Sequence, residues 1–353
     1  MVRRRTAIVA VVLLLAGVSA CAGDEIESVA APDPGTVGIA LPTKDSARWI
    51  ADGDNMVKQF AALGYKVNMQ YADNDVGTQQ DQLDAMIAEG DRALVIGSID
   101  GTQLKQQLQE AHDKGIPVIS YDRLIRDSAN VDYYASFDNY KVGVLQGQTI
   151  AKHLDLAKAK RTYRVELFAG SADDNNARFF FNGAMSVLNP YLKSGTLEVP
   201  SGQTQFSQVT TQQWDGKIAA ARMAKLLDRD VTFDAVLSPY DGISRGIIET
   251  FQKRGRKVPV VTGQDAELDS VKLIKSGVQT ETVYKDTREL AKVAVQMTDK
   301  VLTGETPEIN DSKTYANGVK VVPAFLLQPV SVEKSNLKTV LIDGGYYKES
   351  DLA

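Results

Sequence analysis

The chain has 353 residues, 43% hydrophobic and 24% charged, which is ordinary globular usage and excludes disordered and fibrous classes. Its length calls for two packed domains, because one hydrophobic core stops growing near roughly 250–300 residues. A formal charge of −5, with no basic run beyond residue 5, argues against a nucleic-acid partner, which needs a concentrated basic face.

Three consecutive arginines, Arg3 to Arg5, precede an apolar or small stretch over 7–20. That stretch is too short to span a membrane, which takes about 20 residues, and suits the core of a signal peptide. It ends in Val18-Ser19-Ala20-Cys21, and Cys21 is the only cysteine. This pattern resembles a bacterial lipobox, so residues 1–21 are expected to be a lipoprotein signal peptide with Cys21 as the lipidation site. No second cysteine exists for a disulfide. Loss of the three arginines would take the formal charge from −5 to −8. Residues 22–35, small, acidic and Pro-containing, read as a tether. The expected location is extracytoplasmic, with acyl chains holding the protein at the membrane face without spanning it.

From Thr36 onward, short apolar runs at 37–41, 67–72, 93–97 and 117–121 alternate with amphipathic stretches at 47–63, 78–89 and 102–114. Ile50, Met56, Val57, Phe60 and Leu63 recur at near-helical spacing, and Gly64, Gly90 and Gly115 stand where helix C-caps are expected. The alternation restarts with strand-like runs at 165–169, 235–238, 259–263 and 280–284. Helix-like stretches at 179–188, 217–227, 243–254 and 268–275 lie around them. Continuous apolar strands between helices mean parallel sheets covered on both faces. The pattern predicts an α/β chain of two doubly wound, Rossmann-like domains, in which ligands bind beyond the carboxyl ends of the strands.

Polar residues cluster at those ends: Lys44, Arg48 and Trp49; Asp122 and Arg123; Asp174 and Asn176; Tyr240 and Asp241; Asp265; Lys285. Carboxylates, amides and guanidinium forks can each meet two neighbouring hydroxyls. The apolar face of a pyranose favours a flat aromatic surface, and Trp49 and Trp214 are the only tryptophans. Each of Asp122, Asp174, Asp241 and Asp265 could singly be a helix N-cap; their joint recurrence at successive strand ends points to a polyol site.

The motifs Ala47-Arg48-Trp49, Ser120-Tyr121-Asp122-Arg123, Phe137-Asp138-Asn139, Asp174-Asn175-Asn176-Ala177, Gly263-Gln264-Asp265-Ala266 and Val283-Tyr284-Lys285 resemble, in this order, the periplasmic sugar-binding proteins of the ribose/xylose/galactose type. Within that family the resemblance is to the xylose-binding and multiple-sugar-binding kinds, and it extends to Gly344-Gly345-Tyr346. It implies hydrogen-bonding roles for Arg48, Asp122, Arg123, Asp174, Asn176, Asp265 and Lys285, with Trp49 and Trp214 sandwiching the ring. Tyr240 and Lys44 match the multiple-sugar kind. The overall resemblance makes xylose the first expected ligand, and these two positions widen the expected range to glucose, galactose and arabinose. The resemblance also implies a periplasmic binding protein type I fold with a three-segment hinge, crossing near Asp138, Lys285 and Phe325. The N-terminal domain would comprise 36–138 plus 286–324, and the C-terminal domain 139–285 plus 325–353.

The implied partners are a monosaccharide and an ABC permease in the membrane, with a membrane sensor as a second possible recipient; a monomer is expected. A sugar-responsive repressor shares this fold, but a signal-like segment stands where its DNA-binding helices would be. No triad order, nucleotide loop or metal-spaced Cys/His cluster appears, so no enzyme activity, cofactor or metal is expected. Asp73-Asn74-Asp75 lacks the spacing of a calcium loop and reads as a turn.

Overall fold

A computed structural model describes residues 33–353. The signal peptide, the lipidation site at Cys21 and nearly all of the tether lie outside the described residues.

The first half builds β1 (Thr36–Leu41), α1 (Ala47–Ala62), β2 (Lys66–Tyr71), α2 (Val76–Glu89), β3 (Leu94–Ile96), α3 (Lys105–Asp113), β4 (Val118–Tyr121) and β5 (Tyr133–Phe137). The chain then forms α4 (Asn139–His153), β6 (Tyr163–Leu167), α5 (Asn175–Lys193), β7 (Leu197–Glu198), α6 (Phe206–Val209), α7 (Gly216–Leu227) and β8 (Ala235–Leu237). It continues with α8 (Asp241–Lys253), β9 (Val260–Val261), α9 (Leu268–Ser276), β10 (Glu281–Tyr284), α10 (Thr287–Leu302), β11 (Ala324–Leu327) and β12 (Val330–Glu333), followed by short helical turns at Lys338–Ile342 and Glu349–Leu352.

The strands form a six-stranded sheet ordered β11-β5-β4-β3-β1-β2 and a four-stranded sheet ordered β7-β6-β8-β9. Every pairing within these two sheets is parallel. A parallel bridge between Gln264 and Val283 extends the second sheet to β10, which β12 joins antiparallel. Strand alternation explains the layers. In β1, Val37, Ile39 and Leu41 face a core shared with Phe60 of α1 and Leu290 and Ala294 of α10. Ala40 faces the opposite core, with Leu83 of α2 and Leu108 of α3. The second sheet repeats the scheme. Val165 and Leu167 pack with Ile150 of α4 and Leu188 of α5, while Val236 packs with Met223 of α7 and Ile247 of α8.

Asp138 caps α4, accepting from the Lys141 N–H at 2.9 Å, and Asp286 caps α10. β11 pairs along its whole length with β5 in the first sheet. α4 and α5 lie backbone against backbone. A Cβ at Gly143 would fall 1.8 Å from the Phe180 carbonyl oxygen, and one at Gly183 would fall 2.0 Å from that of Tyr140. Asp75 caps α2 by accepting from the Thr78 N–H at 2.7 Å, which gives the Asp73-Asn74-Asp75 turn a structural role. Among the described residues no helix is long and apolar enough to cross a membrane.

Glu281 is wholly buried in β10, where it accepts from the Ser331 hydroxyl at 2.7 Å. Burial outweighs the Ser331 and Thr149 hydrogen bonds and pushes its carboxyl from 4.5 up to about 8. Between those values the folded chain keeps a proton that the unfolded chain has released, so this group's contribution to stability falls as pH rises through the window. Glu281→Gln should therefore gain thermal stability over the wild type progressively from pH 5 to pH 8.5. Melting curves across that range check it; a melting-temperature difference that does not change with pH would refute the assignment.

Candidate functional site

A cleft of about 650 Å³ opens between the lobes, beyond the carboxyl ends of both sets of strands. Both sheets reverse strand order beside their first strand, β1 in one and β6 in the other, which opens the crevice where such folds take ligands. Arg48, Trp49, Asp122 and Arg123 enter the lining from the first lobe. Asp174, Asn176, Trp214, Tyr240, Asp265 and Lys285 enter it from the second. Asp122, Trp214 and Asp265 have φ of 59°, 59° and 88°. Left-handed backbone at such residues costs on the order of 1–3 kcal/mol each and persists only where the surroundings impose it. Here the Asp122 N–H is tied to the Ala135 carbonyl and the Asp265 N–H to the Val283 carbonyl, each at 2.8 Å.

The charges alternate. The Arg48 guanidinium donates to Asp122 in a short contact, lies 3.2 Å from Asp52 and 3.7 Å from Asp265. Lys285, 2% exposed, reaches Asp265 at 2.9 Å and Asp122 at 3.9 Å. Arg123 Nε meets Asp174 across the cleft at 3.0 Å. Burial alone would push Asp122 up, but Arg48, Lys285 and Arg123 together outweigh it and hold the carboxyl at about 2. Burial also penalises the Arg48 charge, yet Asp122, Asp52 and Asp265 keep its pKa above the ordinary value. Asp174 goes the other way: burial holds it above the usual carboxylate range despite Arg123. Asp174 serves two roles, since it also caps α5 by accepting from the Asn176 N–H at 2.8 Å. The result is a desolvated set of fixed donors and acceptors shared between two lobes.

Trp49 is buried, with the Arg48 and Arg123 guanidinium carbons 5.1 and 5.3 Å from its ring centroid. Trp214 stands edge-on to Phe180 and Tyr240, with centroids 6.1 Å apart in both pairs. A side chain at Gly170 would displace it, for a Cβ there would sit 2.0 Å from Trp214 Cη2. The buried indole Nε1–H of Trp214 has no hydrogen-bond partner among the described residues.

Two expected residues do not line the cleft. Lys44 is exposed and its ammonium lies 5.0 Å from the Tyr71 ring centroid, directed along the first lobe. Asp241 is wholly buried inside the second lobe. It accepts from Gln279, Thr282 Oγ1 and the Glu267 N–H, each at 2.9 Å, which ties α8 to β10 and to the start of α9. Asn176 does line the cleft, but its amide already donates to the Asp122 carbonyl at 2.9 Å and accepts from Asn139 at 3.0 Å. It therefore ties the lobes together beside the first crossover. Phe180, Gln264, Ser46 and Arg245 are among the further lining residues that were not foreseen. Phe180 read as an ordinary helix residue, whereas Gln264 stood inside a recognised motif and could have been drawn from it.

Residues 37–306 match the family model for the periplasmic binding protein domain. The chain is 56% identical over 330 residues to the multiple sugar-binding periplasmic receptor ChvE of Rhizobium radiobacter, covering 91% of this chain and 93% of that receptor. It is 36% identical over 322 residues to the D-xylose-binding periplasmic protein of Escherichia coli, covering 90% and 92%. Among solved structures, an ABC transporter solute binding protein from Clostridium phytofermentans with bound β-D-glucose superposes with a TM-score of 0.87 at 44% identity, covering 90% of this chain and all of that one. With cleft, topology and sequence in agreement, the chain belongs to the periplasmic binding protein domain family.

Proposed function

We propose that this chain is the sugar-capturing component of an ABC importer and that it takes an aldopyranose between its lobes. The observation that carries the reading is the alternating set Arg48, Asp122, Lys285 and Asp265, buried at the meeting of both lobes beside two tryptophans. Neighbouring sugar hydroxyls each donate and accept, so a rigid row of alternating charges matches them without reorganisation. Capture works by closure. Arg48, Asp122 and Arg123 lie on one lobe while Asp174, Trp214 and Asp265 lie on the other, so a ligand satisfies both sets only when the lobes meet. The permease then reads the closed shape.

The specificity we propose is broad: glucose, galactose, arabinose and xylose rather than xylose alone. Support comes from Tyr240 and from the higher identity to a multiple-sugar receptor than to a xylose-binding protein. The lipid anchor at Cys21 belongs to the same reading and rests on the arginines, the apolar run and the lipobox-like end. Thermal shift of protein lacking residues 1–21 against a panel of monosaccharides tests the function. A sugar at about 1,000 times its Kd adds roughly 4 kcal/mol, and shifts with several aldopyranoses are expected. A shift with xylose alone would restrict the specificity, and no shift with any sugar would overturn the function.

A further inference from the structure

Ser46 occupies the N-cap of α1, where a serine oxygen ordinarily accepts from the first helical turn, but its side chain makes no cap. Its hydroxyl instead donates across the cleft to Oε1 of Glu267, 3.1 Å away. Glu267 is buried and already held from within the second lobe. Its Oε1 accepts from the Tyr240 hydroxyl at 2.6 Å and its Oε2 pairs with Arg245 at 2.6 Å. Its N–H is bound to Asp241 at 2.9 Å. Glu267 is absent from the cleft lining, while Ser46, Tyr240 and Arg245 belong to it. The carboxylate thus stands behind the wall, organised before the first lobe arrives.

We infer that Glu267 is a positioning residue for closure: it fixes Tyr240 and Arg245 on one wall and receives Ser46 only when the lobes meet, so that this contact sets how long a captured sugar stays. The inference rests on the sugar-binding reading above for its kinetic consequence. Its chemistry is an exchange. In an open state Ser46 is free to turn back and cap α1; in the closed state it gives up that cap for the carboxylate. The bond to the carboxylate is charge-assisted and the stronger of the two, so the exchange favours the closed state by a small margin and does not trap it.

Two variants separate the parts. Ser46→Ala removes the cross-cleft donor and leaves the second-lobe cluster whole. Glu267→Gln keeps an acceptor for Ser46 and Tyr240 but discharges the Arg245 pair. Stopped-flow kinetics with D-glucose, D-galactose, D-xylose and L-arabinose should show a dissociation rate raised about tenfold in Ser46→Ala, the usual place for the effect of a lost interface contact. Association should be little changed and the factor the same for every sugar. Glu267→Gln should show a smaller rise. An unchanged dissociation rate, or a factor that differs between sugars, would overturn the latch, the latter because it would place Ser46 on the ligand itself. The separation of dye labels on the two lobes gives a reading without any sugar: Ser46→Ala should shift the unliganded population toward open. If the wild type bound no sugar, the sugar reading would fall, while an unshifted separation in Ser46→Ala would sink the latch on its own.

Discussion

Arg48→Met is expected to abolish sugar binding and to lower folding stability by about 3–5 kcal/mol, the range for removing one partner from a buried ion cluster. Arg48 is 6% exposed and sits among Asp122, Asp52 and Asp265. Without it Lys285 remains against Asp265 and only distantly against Asp122. Asp122, now held at about 2, would lose the largest of the charges that keep it low. A depressed carboxyl stabilises the fold above its unfolded value of 3.8 and loses that contribution as pH falls toward 2. The gap between wild type and Arg48→Met should therefore be full at neutral pH and narrow below about pH 4. Urea denaturation across pH measures the stability and calorimetric titration the binding. A folded variant with wild-type affinity would remove Arg48 from the site.

Gly143→Ala is expected to cost about 2–3 kcal/mol, the upper part of the usual range for overpacking. The added carbon would lie 1.8 Å from the Phe180 carbonyl oxygen, a backbone atom that cannot rotate away, so α4 and α5 must separate. The damage should reach the site, because α5 carries Asn176 and Phe180 and its cap is Asp174. Gly147→Ala, with its nearest contact at 2.9 Å to the Ala184 carbonyl oxygen, should cost less. Gly77→Ala, on an exposed turn of α2 with its nearest contact at 3.4 Å, should be neutral or slightly stabilising. Thermal melts of the three variants test the ranking. A Gly143→Ala protein that melted with the wild type would contradict the close helix contact.

The strands legible in the sequence were those that carry adjacent β-branched or aliphatic residues between amphipathic stretches, such as Val118-Ile119 in β4 and Ile39-Ala40-Leu41 in β1. β5 escaped because Tyr133-Tyr134-Ala135-Ser136-Phe137 mixes tyrosine, alanine and serine, and its burial depends on having neighbours on both sides. α4 escaped because Gly143 and Gly147 lower its helix propensity, and only the partner helix explains why glycine stands there. α10 carries a readable apolar stripe at Leu290, Ala294 and Met297. β11 was hidden behind an irregular segment, and its place beside β5 has no local signature. At the cleft, Arg48, Asp122, Asp174 and Asp265 were legible because strand ends in this architecture converge. Asp241 shared that signal and proved to be an internal brace, since spacing does not say which way a side chain turns after a strand. The Ser46–Glu267 contact joins positions 221 residues apart and has no local signature.

The order in which the strands enter their sheets constrains how this chain can come into being. β11 closes the first sheet beside β5, and β12 seals β10 in the second, yet both stand at the far end of the sequence. A chain still emerging from the ribosome at Lys285 has every strand of the first sheet except one, with the flank of β5 open to pairing with another chain. The first sheet is not complete until Leu327 and the second is not sealed until Glu333, so synthesis finishes the two halves within a few residues of each other. A premature stop anywhere before β11 leaves both halves incomplete.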